Sequence, residues 1–304
     1  RQRDLRTVLA GEDLAAYDRV LLDLQFKNYH RQARALQGIR GLLIYEEDAC
    51  QNYLPDSRWH GAFSRLYRRL PLARILVTSA GVCEKLRQEG FSVNFFPKVY
   101  DPDTIFFDPG ERDIELGFVG RTASAAYSGR RELLESLARQ EPLQLLRTAP
   151  GGAYRRALNR IRFFASADVG FSEYMAKNFE AMACGCVVLA WRQGGEEAAI
   201  GLEDGVHLLL YSDLSGLRAH LASLRNDAKR AEQIADAGRA FVEMNLTYRQ
   251  LAEQMAQLLV EPWSLSAPPS PPSPPSPPSP PSPPSPPTGW RKLFGSAGIM
   301  RGPR

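Results

Sequence analysis

The chain has 304 residues, 44% of them apolar, enough to bury a sizeable core and to fill two domains of ordinary size. Its formal net charge of +4 sits in Arg291, Lys292, Arg301 and Arg304, because before residue 264 the Lys and Arg equal the 34 Asp and Glu in number. A general polyanion-binding surface, and nucleic acid as a partner, are therefore not supported.

No run of eighteen apolar residues occurs, so no helix is expected to span a bilayer. The opening RQRDLRTVLAGEDLAAYDRV lacks an initiator Met and an apolar signal core, which sets the expectation of a cytoplasmic chain. Cys50 and Cys83 are isolated, and Cys184 and Cys186 have no histidine nearby. They are expected as plain thiols in a reducing compartment, with no metal site.

In chain order, short apolar strands alternate with amphipathic helices. DRVLLDL (18–24) reads as a strand, KNYHRQARALQG (27–38) as one helix, and RGLLIYEED (40–48) as a strand. HGAFSRLYRRL (60–70) is helical, ARILVTSA (73–80) a strand, GVCEKLRQEG (81–90) a helix, and SVNFFPKV (92–99) a strand. Strands bare of charge between helices imply a parallel sheet covered on both faces.

After a connector with Pro102, Pro109 and Gly110, a second set begins. IELGFVGRT (114–122) is a strand, GRRELLESLARQ (129–140) a helix, and LQLLRTA (143–149) a strand. AYRRALNRIRFFASA (153–167) is read as helical throughout and ADVGFS (167–172) as a short strand. Two charged helices, over 213–224 and 227–245, close the domain, and TYRQLAEQMAQLLVEPW (247–263) follows. The expectation is an α/β protein with two Rossmann-like domains, 1–105 and 106–263, the first of them short. From residue 264 a Pro-Ser-rich extended tail follows, whose repeat at Pro268–Pro287 spans roughly 60 Å as polyproline II. Trp290, Leu293 and Phe294 beside Arg291 and Lys292 leave two readings open: contact with a protein or membrane surface, or a disordered end.

The densest signal is FEAMACGCVVLA (179–190). Phe179–Ala183 read as a helix with small residues for close packing, Gly185 as its left-handed end, and Val187–Ala190 as a buried strand. Glu180 is the one carboxylate in this run. It serves either as a favourable charge near a helix start or as a ligand group.

Together, SADVGFSEYMAKNFEAMACGCVVLA, GGEE, EDGVHLLLYSD and AGRAFV resemble the donor domain of nucleotide-sugar glycosyltransferases of the two-domain GT-B fold. The flavour is that of the branch with spore-maturation-like proteins. ILVTSAGVCEKLRQEGFSVNFFPKVYDPDTIFF and ELGFVGR extend the resemblance upstream, over roughly residues 40 to 260.

The resemblance implies roles. Glu180 would accept hydrogen bonds from the donor's ribose hydroxyls, and Lys177 and Arg121 would meet the diphosphate as charge builds on it. Gly120 would allow close backbone approach, Gly194 and Gly195 would face the transferred sugar, and Tyr154 would flank the nucleotide or simply pack. Asn178, between Lys177 and Glu180, is grouped with them. There are departures. Relatives often place two glutamates with seven residues between them, whereas Glu173 and Glu180 have six. GRTASAAYSGRR lacks the lysine that often follows the arginine, and Arg130 or Arg131 should begin a helix instead.

On the acceptor side, YEEDACQNY follows a strand, and Glu47 or Asp48 would take the proton of an acceptor hydroxyl, the alternative being an ordinary acidic loop. The implied activity is metal-independent transfer of a sugar from a nucleotide diphosphate sugar to a hydroxyl on a glycan, lipid or protein, with no cofactor. It is placed in the cytoplasm or at a membrane surface. The alternative is a noncatalytic scaffold that retains a donor domain and docks through its tail.

Overall fold

The computed structural model describes residues 4–122 and 128–263. The Pro-Ser repeat, the segment after it and residues 123–127 of the TASAAYS stretch lie outside the described residues. The first half builds from α1 (Leu5–Leu9), β1 (Val20–Asp23), α2 (Phe26–Tyr29), α3 (Ala33–Leu36) and β2 (Leu42–Glu46). α4 (Ala62–Tyr67), β3 (Arg74–Val77), α5 (Ala80–Gln88) and β4 (Val93–Phe95) follow. The second half runs β5 (Ile114–Val119), α6 (Ser128–Ala138), β6 (Leu143–Leu146), α7 (Gly152–Arg160), β7 (Ile161–Ala165), α8 (Ala176–Ala183), β8 (Val187–Trp191), α9 (Glu196–Ile200) and β9 (Leu209–Tyr211). α10 (Leu214–Asn226), α11 (Ala228–Asn245) and α12 (Tyr248–Val260) complete it.

Both sheets are parallel, the first in the order β1-β2-β3-β4 and the second in the order β6-β5-β7-β8-β9. The two α/β units expected from the strand–helix rhythm are therefore present. In the second sheet the order reverses between β5 and β7, and the carboxyl ends of strands at such a point form a ligand crevice. Gly120 and Arg121 leave β5 there, and Asp168 follows β7. The halves are not independently packed. Leu43, Tyr45, Leu76 and Phe96 join the core of the second sheet, while Phe171 and Met175 pack into the core of the first.

Three expectations need correction. Residues 27–38 form two short helices, with Gln32 at the break. Its side-chain oxygen accepts from the Leu5 N–H at 2.7 Å and its amide donates to the Asn28 carbonyl at 2.8 Å. Gln32 thus serves an N–H that α1 leaves open, a long-range demand that the helical pattern does not reveal. The helix read over 153–167 stops at Arg160, and Ile161–Ala165 is a strand. Ile161, Phe163, Phe164 and Ala165 are buried between neighbours on both sides, so the run lacks the alternation that betrays a half-exposed strand. Residues 167–172 form no strand but a turn, with Gly170 and Ser172 at φ of 79° and 51°. Among the described residues no helix is long and apolar enough to cross a membrane.

α11 packs closely over α8 and β8. At Gly238 a β-carbon would stand 2.4 Å from the His207 carbonyl oxygen. Alanine normally gains about 1 kcal/mol over glycine inside a helix. Gly238→Ala is expected instead to lose about 1–3 kcal/mol, because backbone must move to admit the methyl group. Urea unfolding of the two proteins checks the sign.

Candidate functional site

β5 delivers Gly120, with φ of 153°, to the crevice. A β-carbon on Gly120 would lie 2.5 Å from Lys177 Nζ, so only glycine lets the amine settle against this backbone. Lys177 is half-buried on the first turn of α8, its Nζ 4.9 Å from the centre of the Phe118 ring. Burial pulls its ammonium down to about 8, helped by Arg130 and opposed by Asp168 and Glu180. Among the described residues it has no hydrogen bond and no ion pair. An amine near an apolar wall, without a hydrogen bond or ion pair among the described residues, is able to receive an anion.

Glu180 lies one turn further along the same helix, so the i, i+3 spacing stacks it beside Lys177. Its Oε2 accepts from the Tyr154 hydroxyl at 2.6 Å, which leaves Oε1 without a partner among the described residues. Burial raises this carboxyl above the usual range, while Tyr154 and Lys177 pull it back. Tyr154 therefore orients Glu180, and its ring packs on the core of the second sheet. Arg121 is exposed directly after Gly120 and has no partner among the described residues. Gly194, at φ of 85°, and Gly195 have open space where a side chain would be, so the loop before α9 presents bare backbone.

Asn178 is a correction. It is buried, and its amide donates to Asp168 Oδ2 at 2.7 Å and to the Met175 carbonyl at 3.0 Å. It braces the start of α8 and does not stand open to a ligand. Glu173 is likewise enclosed. Its Oε1 receives Lys98 Nζ at 2.6 Å and the Thr78 hydroxyl, both from the first half. Burial would lower Lys98, but Glu173 holds it above the usual lysine range.

On the first sheet, Glu47 and Asp48 follow β2, and both are exposed. The inward carboxylate is Glu46, which pattern reading passed over. It accepts from the Tyr29 hydroxyl at 2.6 Å and from the Asp48 N–H at 3.0 Å, and burial raises it to about 8. Glu47 is also raised, because neighbouring groups partly desolvate its carboxyl although the residue reaches solvent, and Lys98 opposes this. Its carbonyl accepts from Lys98 Nζ at 2.9 Å, so the acidic turn and Glu173 share one cation.

A second link between the halves was also missed. Glu196 reaches the start of α5, taking the Gly81 and Ala80 N–H groups at 2.7 and 3.1 Å and the Ser79 hydroxyl at 2.8 Å. In sequence, its place directly after Gly194 and Gly195 signals only a favourable first-turn acid.

The site can thus offer an unpaired amine, an exposed guanidinium, a half-free carboxylate and bare glycine backbone at the switch point of a parallel sheet. Among the described residues no group of three or more His, Cys, Asp or Glu is placed to hold a metal ion.

Residues 120–257 match the family described as "Glycosyl transferase-like". No curated protein sequence matches the chain. Among solved structures, HepE from Anabaena in complex with UDP and glucose is similar over 84% of this chain and 80% of its own, at 15% identity and a TM-score of 0.67. Sucrose-phosphate synthase from Thermosynechococcus elongatus is similar over 84% and 76%, at 14% identity and 0.61. An alpha-glucosyltransferase solved with UDP-glucose and abasic-site DNA is similar over 86% and 84%, at 11% identity and 0.52. These likenesses show the fold alone.

Proposed function

We propose, from the match of residues 120–257 to a family described as glycosyl transferase-like and from the fold shared with HepE, that the protein moves a sugar from a nucleoside diphosphate sugar to a hydroxyl acceptor. The donor binds residues within 106–263 and the acceptor residues within 1–105. The observation that carries this reading is the unpaired Lys177 amine beside the half-free Glu180 carboxylate over Gly120.

The acceptor oxygen bonds to the anomeric carbon of the sugar as the bond from that carbon to the diphosphate oxygen breaks. The electron pair leaves with the nucleotide, and Lys177 and Arg121 receive the charge without a metal. The hydroxyl proton passes to Glu47 or Asp48. Glu180 Oε1 accepts from a ribose hydroxyl, held in place by Tyr154. Gly194 and Gly195 leave room for the sugar. Acceptors are a glycan, a lipid or a protein, and the site of action is cytoplasmic, at or near a membrane surface. Four buried, unpaired cysteines support a reducing setting.

The test is a thermal-shift and hydrolysis screen over nucleotides and nucleotide sugars, beginning with UDP and UDP-glucose because the HepE structures hold them. A nucleoside diphosphate should raise the melting temperature and its sugar ester should be hydrolysed slowly. No response to any member of the panel defeats the reading.

Diphosphate affinity should also depend on pH. The protonated Lys177 amine is the binding form, so affinity is full below about 8 and falls as pH rises through it. Calorimetric titrations at a series of pH values should show this limb in the wild type and lose it in Lys177→Met.

A further inference from the structure

Asp168 was not among the residues singled out from sequence, yet it is the most heavily tied carboxylate of the second half. It is completely buried. Oδ1 accepts from Arg130 Nη2 at 2.5 Å. Oδ2 accepts from Asn178 Nδ2 at 2.7 Å and from the Met175 N–H at 3.2 Å, both at the start of α8. The Asp168 carbonyl accepts from Gln193 Nε2 at 2.7 Å, and Gln193 precedes Gly194 and Gly195. Gln193 Oε1 in turn accepts from the Glu173 N–H at 3.2 Å. Three separate elements meet on one residue: α6, the first turn of α8 that carries Lys177, and the glycine loop before α9.

We propose that Asp168 is the positioning residue of the donor site, holding the start of α8 and the glycine loop in register while it neutralises the buried Arg130 guanidinium beside the Lys177 amine. This rests on the donor reading given above. Asp168 itself is sealed from substrate, so its effect passes through Lys177. The charged groups that face Lys177 are Arg130 from α6, Asp168 from the segment after β7, and Glu180 from α8 itself. The Phe118 ring on β5 supplies the apolar wall. With Asp168 charged, Arg130 is balanced and the amine keeps its proton at neutral pH. Without that charge the pull of Arg130 on the amine is no longer offset by Asp168. Without Arg130, the amine loses its main cationic neighbour.

Opposite substitutions should therefore move Lys177 in opposite directions, which a purely structural role for the pair does not predict. The experiment follows the Lys177 signal by NMR in the reductively methylated full-length protein, assigned by its loss in Lys177→Met. It compares the wild type with Asp168→Asn and Arg130→Met, all without nucleotide. Asp168→Asn should lower the pH at which Lys177 titrates, and Arg130→Met should raise it, each by at least about half a pH unit. If Asp168→Asn does not fold, the double variant Asp168→Asn/Arg130→Met removes both buried charges and should titrate at or above the wild-type value. Shifts of the same sign, or no shift in Arg130→Met, overturn the assignment. UDP affinity at pH 7.5, measured separately, should fall at least about tenfold in Asp168→Asn. A wild type that fails to bind UDP overturns the donor reading instead, and the two failures appear in different titrations.

Discussion

Replacing Lys177 with methionine should slow sugar transfer at saturating donor by at least about tenfold, and toward a hundredfold if its amine touches the leaving diphosphate oxygen. The amine acts in a half-buried place where water screens little, so one missing charge on a developing anion is felt strongly. The same substitution should leave the melting temperature unchanged or slightly higher. Lys177 has no ion pair to lose among the described residues, and burial already works against its charge. Loss of turnover without loss of stability is the signature of a group set aside for a ligand. A variant with full turnover would remove Lys177 from the diphosphate site. Arg121→Ala should also slow turnover by at least about tenfold, without affecting stability, since Arg121 is exposed and unpartnered among the described residues.

The second large effect concerns the junction of the halves. Lys98→Met should cost about 3–5 kcal/mol in unfolding free energy, because it strands the Glu173 carboxylate in the interior. Glu173 is only 1% exposed in its side chain and Lys98 only 9%, so neither can turn to water. Exchanging both, as Lys98→Met with Glu173→Leu, should recover most of that loss, since no isolated buried charge remains. Urea unfolding of the single and double variants checks this. If the single substitution costs under about 1 kcal/mol, the pair behaves as a surface contact and does not anchor the junction.

Much of this architecture is legible in the sequence. β2, β5 and β8 are apolar runs beside turn residues, and Lys177 and Glu180 share a helix, so their neighbourhood follows from a spacing of three. Gly185 was readable as the left-handed end of α8, and its φ of 75° agrees, whereas the close approach at Gly120 came from the family resemblance alone. What stayed hidden depends on residues far apart. β7 lies at the centre of its sheet, and burial on both faces erased its period. Glu196 meets Ala80 and Gly81 across 115 residues or more, and Arg130 meets Asp168 across 38. No local pattern marks such pairs, because an acid near a helix start or an arginine within a helix has an adequate local explanation. The buried Glu46, one residue before the acidic pair Glu47 and Asp48, was also not legible. β2 ends at Glu46, which faces inward, and the chain then turns so that Glu47 and Asp48 are both exposed.

The proposed site holds a nucleoside diphosphate between Lys177 and Glu180. Its most direct test is calorimetric titration of UDP into the wild type and into Glu180→Gln. Glutamine keeps an oxygen for the Tyr154 hydroxyl, so the fold and the neighbouring side chains should persist, but the amide loses the charge that favours the ribose hydroxyls. UDP should bind the wild type saturably at one site and the variant at least about tenfold more weakly, with equal melting temperatures for the two free proteins. Equal affinity for both proteins, or no binding to either, would contradict it.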